Sequence, residues 1–188
     1  MVTQTRHGAV YPMQSEDRVK VWLSRRAAER IRLDAARYFP LETGGVLLGW
    51  RNGPNRTIVD VIGAGPNALH GRVRFLPDHA WQMRHIRQAF HSTSGDLDYL
   101  GDWHTHPDGL ARMSAEDATT LRKISRKVKD PAMLIAAGNL STGWHLEAWL
   151  QPTGRWMDRE PAQGTDLQIF TPPEDWPIYN SGTEEPGA

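Results

Sequence analysis

Apolar and polar side chains alternate along Val19-Lys20-Val21-Trp22-Leu23, a period of two that predicts a strand. The period then lengthens. Ala27, Ala28, Ile31, Ala35 and Tyr38 fall on one helical stripe, with Ser24 placed to cap it and Pro40 to end it. Val46-Leu47-Leu48, set between Gly44-Gly45 and Gly49, reads as a buried strand. A strand over 56–62 follows the Asn52-Gly53-Pro54-Asn55 turn and makes a hairpin with it. A short strand is expected at Val73-Arg74-Phe75, a second helix over 78–90, a strand over 99–106 and a third helix over 114–128. Strands over 132–137 and 144–150 close the series. Interleaved strands and helices together with a hairpin predict an α/β fold: a mixed, partly antiparallel curved sheet flanked by helices.

That series organises the chain as an N-terminal extension (1–18), a domain (19–150) and a tail (151–188). The tail carries Asp158, Glu160, Asp166, Glu174, Asp175, Glu184 and Glu185 against Arg155 and Arg159, a net of −5. Because the whole chain is formally neutral, the rest carries +5. The tail is rich in proline and shows neither period, so it is expected to be irregular, pinned by Trp156, Phe170, Trp176 and Tyr179 and disordered beyond about Tyr179.

The 188 residues suit one core. With no cysteine, disulfides, thiol nucleophiles and thiolate metal sites are excluded, so any metal must be held by His and carboxylates. No apolar run approaches the ~18–20 residues of a membrane span, and residues 1–20 lack a signal-peptide core. The expected location is cytoplasmic. Five basic residues lie on the third helix at Arg122, Lys123, Arg126, Lys127 and Lys129. In a chain with no net charge these read as a solvated face, and nucleic acid is not an expected partner.

The chemistry concentrates in Gly101-Asp102-Trp103-His104-Thr105-His106-Pro107. On a strand, residues two apart share a face, so His104 and His106 can converge on one point while Trp103 turns into the core. A helix opens at Ser114, and Asp117 in its first turn can direct a carboxylate back to the strand end. Two imidazoles and a carboxylate leave a fourth position open, the pattern of a catalytic zinc site. The bland readings are a pair of unremarkable histidines and a capping box from Ser114 to Asp117. Asp102 shares the face of the two histidines, either orienting a ligand imidazole or facing solvent.

His104-x-His106-Pro107, then Ser114-x-x-Asp117, with Glu42 ahead of Thr43-Gly44-Gly45-Val46-Leu47-Leu48-Gly49, resembles the JAMM (JAB/MPN+) metalloprotease family in order and spacing. The likeness covers roughly residues 19–150, and Met113 departs from it where the family commonly has proline. It implies a JAB/MPN-type, cytidine-deaminase-like domain with zinc held by His104, His106 and Asp117. Glu42 is then the general acid/base, and Ser114 a donor to the developing oxyanion. The implied activity is hydrolysis of the amide bond after the C-terminus of a ubiquitin-like or otherwise conjugated protein. The single-domain form resembles the prokaryotic branch, which includes deconjugating proteases of CBASS- and Bil-type antiphage operons. Activating and conjugating enzymes from the same operon are then expected partners. Processing of a sulfur-carrier or ubiquitin-like precursor would use the same residues, and a non-catalytic MPN-type scaffold is the alternative outside enzymology. An extended substrate tail is expected to pair with a strand edge, with segments 63–79 and 107–113 shaping the groove.

Overall fold

A computed structural model describes residues 19–153 and 160–179. The expected N-terminal extension, Trp156 and the tail beyond Tyr179 lie outside them. The elements run β1 (Lys20–Ser24), α1 (Arg25–Tyr38), β2 (Gly44–Asn52), β3 (Asn55–Ile62), β4 (Leu69–His70), β5 (Phe75–Leu76) and α2 (His79–Ser92). They continue with β6 (Asp98–Pro107), α3 (Ala115–Ile124), β7 (Ala132–Asn139), β8 (Gly143–Leu150) and β9 (Gln163–Phe170). No helix among the described residues is long and apolar enough to cross a membrane.

Seven strands form one closed sheet in the order β1-β3-β2-β6-β7-β8-β9, with β9 returning to β1. The pairs β1–β3, β1–β9 and β6–β7 are parallel and the other four antiparallel, so the expected mixed sheet is present and closes on itself. The curved sheet wraps α1, which touches β1, β2, β3, β7, β8 and β9. Ser24 caps α1, its Oγ accepting the Ala27 N–H at 3.0 Å. The stripe Ala27, Ala28, Ile31 and Ala35 is fully buried against Leu47, Leu100 and Trp103. On the outer face, Ala89 of α2 packs with Val46 and Leu48, while Leu121 of α3 packs with Met133 and Ile135.

Three sequence expectations are corrected. The tail was expected to be irregular, yet β9 lies in it and carries the sheet past Leu150. Its two faces are half-exposed, so no period marks it, and its place is set by backbone pairing to β1 and β8. The third helix stops at Ile124 rather than 128. Beyond it the chain runs on in tighter turns, with the Lys127 and Val128 N–H groups both reaching the Ile124 carbonyl and the Ser125 hydroxyl bonding the Arg122 carbonyl. Instead of a strand at 73–75, a two-stranded hairpin pairs Leu69 with Leu76 and His70 with Phe75, with Val73 and Arg74 in its turn. Strands of two residues are too short to show a period.

Gly44 and Gly45 are required by close approach. A Cβ at Gly45 would overlap the Ile62 carbonyl oxygen and press on Trp103 Nε1, and one at Gly44 would overlap the Trp103 carbonyl oxygen. Backbone cannot yield as a flexible side chain can. Gly45→Ala is therefore expected to cost at least about 1–3 kcal/mol, read as a lowered melting temperature. An unchanged melting temperature would show that β2 and β3 are not so closely seated.

Candidate metal centre

The β6–α3–β7 unit places the site. Strand β6 delivers its residues in alternation: Gly101, Trp103 and Thr105 are buried, while Asp102, His104 and His106 face outward between α2 and α3. The chain then crosses to α3, whose N-terminus faces back toward the end of β6. Ser114 Oγ accepts the Asp117 N–H at 3.1 Å and Asp117 Oδ2 accepts the Ser114 N–H at 2.8 Å. The capping box is real, and it also orients the Asp117 carboxylate. With its oxygen taking the Asp117 N–H, the Ser114 hydroxyl keeps its own hydrogen to donate.

His104 Nε2 lies 3.0 Å from His106 Nε2 and 3.1 Å from Asp117 Oδ1, and His106 Nε2 lies 3.5 Å from Asp117 Oδ2. Tetrahedral metal bonds of about 2.0–2.1 Å place ligand atoms about 3.3 Å apart, so these separations bracket the edge of such a site. His106 donates Nδ1–H to the Leu110 carbonyl at 3.1 Å, so Nε2 carries the lone pair when the ring is neutral and donates to Asp117 when the ring is protonated. The residues therefore fit a divalent metal that takes nitrogen and oxygen ligands. Burial works against the charge on Asp117, but hydrogen bonds from His104 and His106 hold its carboxyl well below the usual range. The His106 imidazole is raised chiefly by its bond to Asp117.

Glu42 lines the same cleft, of about 570 Å³, as His104, His106, Ser114 and Asp117. It is not part of the ligand-atom cluster, which comprises His104, His106 and Asp117 among the described residues. Burial raises its carboxyl, and the neighbouring His104 and His106 imidazoles pull it partly back down. Its backbone is fixed on three sides. Thr43 N–H donates to Thr105 Oγ1 and Thr105 N–H to the Thr43 carbonyl, each at 2.9 Å, which ties the residue after Glu42 to the one between the histidines. Glu42 N–H donates to the Gly71 carbonyl at 2.7 Å, and His70 Nδ1–H to the Glu42 carbonyl at 3.0 Å. His70 in turn stacks on Tyr38 with ring centroids 3.8 Å apart.

Thr105, His70 and Gly71, which fix the backbone at Glu42 and Thr43, are residues of the site that sequence reasoning missed. Thr105 shares the buried face of β6 with Trp103, and nothing in the local pattern around Thr105 or His70 points to Glu42. Asp102 borders the cleft, and its Oδ1 takes the Tyr99 hydroxyl at 2.7 Å. Burial pushes its carboxyl up to about 6, against the Tyr99 bond and the His104 charge. Met113, the departure from the family pattern, packs against the cluster under α3. Residues 73–75 and Pro77 wall the cleft, as expected of segment 63–79. Closure is partial: β8 pairs with β9 through Ala148, Trp149 and Leu150 alone, so among the described residues an extended tail has both the β4–β5 hairpin and the unpaired part of β8 as edges to add to.

The chain is 33% identical over 159 residues to a Sinorhizobium fredii protein named "Probable metalloprotease y4qB", covering 80% of this chain and 96% of that one. It is 32% identical over 94 residues to a "CD-NTase/cGAS isopeptidase" of Vibrio cholerae, covering 50% of this chain and 59% of the relative. A protein of the same name from Enterobacter hormaechei is 29% identical over 120 residues, 60% of this chain and 64% of that one. The solution structure of protein DSY2949 from Desulfitobacterium hafniense shares the fold at a TM-score of 0.63 and 20% identity, covering 82% of this chain and 95% of that one. Residues 24–150 match the family model described as prokaryotic homologs of the JAB domain, Prok-JAB, and the chain belongs to that family.

Proposed function

We propose that this protein is a zinc-dependent isopeptidase that hydrolyses the amide joining the C-terminus of a ubiquitin-like or similarly conjugated protein to its target. The observation that carries the reading is the convergence, in one cleft, of a three-ligand cluster with a carboxylate held just outside it. The family match and the relatives named metalloprotease and isopeptidase support it. The name isopeptidase also supports a protein conjugate as the substrate class. The enzymes that build the conjugate as partners, and antiphage defence as the setting, are part of the proposal and rest on the family resemblance.

Zinc bound to His104, His106 and Asp117 would supply Lewis acidity, acidifying water and polarising a carbonyl oxygen. The chain's own groups do the rest. Glu42 accepts a proton from the attacking water and returns it to the leaving amine, so that a C–O bond forms and the C–N bond breaks with one water consumed. A carboxyl raised by burial is better matched to that exchange near neutrality than an exposed one. Ser114 directs its hydroxyl hydrogen toward the developing oxyanion.

Ser114→Ala is expected to slow turnover about 10²-fold through the lost donor and to cost about 0.5–2 kcal/mol through the lost cap. Ser114→Gly separates the two, since it keeps most of the cap. A full rate in Ser114→Gly would remove the oxyanion role.

The reading is tested with two probes, a ubiquitin-like protein joined through its C-terminus to a carrier lysine and the same protein in linear fusion. Cleavage of the lysine-linked probe, abolished by chelation and restored by zinc, is the expected result. Cleavage of the linear fusion alone would favour precursor processing. A zinc-loaded chain that cleaves neither would leave the scaffold reading.

A further inference from the structure

Beyond Asp102 the cleft abuts a second cavity, of about 620 Å³, between α2 and the C-terminal end of α3. Pro77, Gln82 and Asp102 border both. Its walls are apolar, formed by Met83, Ile86, Tyr99 and Val128, and the exposed Lys123, Arg126 and Lys127 stand on its rim. Helix α2 contains no Asp or Glu, and neither does the stretch 118–129. Among the described residues, Asp102 is the one carboxylate on the border, and its Oδ1 is engaged by Tyr99. The basic tract that spans the end of α3 and the turns after it is thus gathered around an apolar hole beside the candidate metal centre.

We propose that this cavity is a specificity subsite: it takes an aliphatic side chain from the segment of the protein substrate next to the scissile amide, flanked by Asp or Glu residues that meet the rim. Charge complementarity selects the occupant, because three cations around an apolar pocket attract an acidic segment and reject a basic one. A nucleic acid fits less well. The walls are mainly aliphatic rather than a row of stacking aromatics, the cations ring a hole rather than track a groove, and the chain carries no net charge. The proposal rests on the isopeptidase reading for where the amide lies.

The test uses the full zinc-loaded chain and fluorescein-labelled peptides followed by anisotropy. One peptide carries Leu among Asp and Glu, a second carries Leu among Lys and Arg, and a third replaces Leu with Ser in the acidic context. A labelled single-stranded DNA serves as competitor. The acidic Leu peptide is expected to bind about tenfold tighter than either of the others, the size of a few screened charge pairs or a small apolar contact. Combining Lys123→Glu, Arg126→Glu and Lys127→Glu, all at exposed positions, is expected to turn the preference to the basic peptide. Equal binding of acidic and basic peptides, a preference that survives charge reversal, or displacement of the peptide by the DNA would overturn the subsite. If the preference holds and reverses while neither conjugate probe is cleaved, the docking surface stands and the isopeptidase reading falls. If the probes are cleaved and no preference exists, the subsite alone falls.

Discussion

Glu42→Gln is expected to lower amide cleavage by about 10²–10⁴-fold, the usual yield of one positioned acid/base group, while zinc content and melting temperature stay near those of the parent. The substitution keeps side-chain shape and removes only the ability to take and give a proton. Metal should be retained because Glu42 lies outside the cluster of ligand atoms. The fold should be retained because what fixes this residue is its backbone, through Gly71 and His70, and the Thr43–Thr105 pair beside it. Turnover and metal content measured on one preparation check both halves. A rate within a few-fold of the parent would take Glu42 out of the mechanism. Loss of zinc would make it a ligand.

His104→Ala should do the opposite: abolish bound metal and cleavage together and leave the metal-free fold in place. Removing this side chain takes away one of the three side chains placed to hold a metal and a hydrogen-bond partner of Asp117. The loss of affinity is expected to exceed the ~10–100-fold seen when a mere outer-shell partner is removed. His104 points outward from β6 while its neighbours Trp103 and Thr105 are buried, so the core is untouched. Zinc content before and after dialysis against a chelator, with melting curves of both metal-free proteins, decides the matter. Stoichiometric zinc in the variant would show that the ligands lie elsewhere.

These two residues also show what could be read from the sequence. The convergence of His104 and His106 was legible because side chains on a strand repeat every two residues, and Asp117 because a capping box fixes the first turn of a helix. Those are local rules. Glu42 is nowhere near them in sequence, and its position among them came from the family resemblance alone. What brings it there is a set of tertiary contacts: Thr105 reaching Thr43 across 62 positions, and a hairpin of two-residue strands offering Gly71 and His70. Strand β9 was hidden for a related reason. A half-exposed strand held by backbone pairing on both sides leaves little trace in the order of apolar and polar residues. The basic run at the end of α3 and just beyond it read as a solvated face because its relation to Met83, Ile86 and Tyr99 exists only once that segment lies beside α2.

The most direct test of the account is a zinc-edge anomalous difference map from crystals of the full chain grown with zinc. One strong peak is expected, bonded to His104 Nε2, His106 Nε2 and an Asp117 carboxylate oxygen, with the Glu42 carboxylate beside it and not coordinated. No peak in this cleft, or a peak bonded to Glu42, would contradict it.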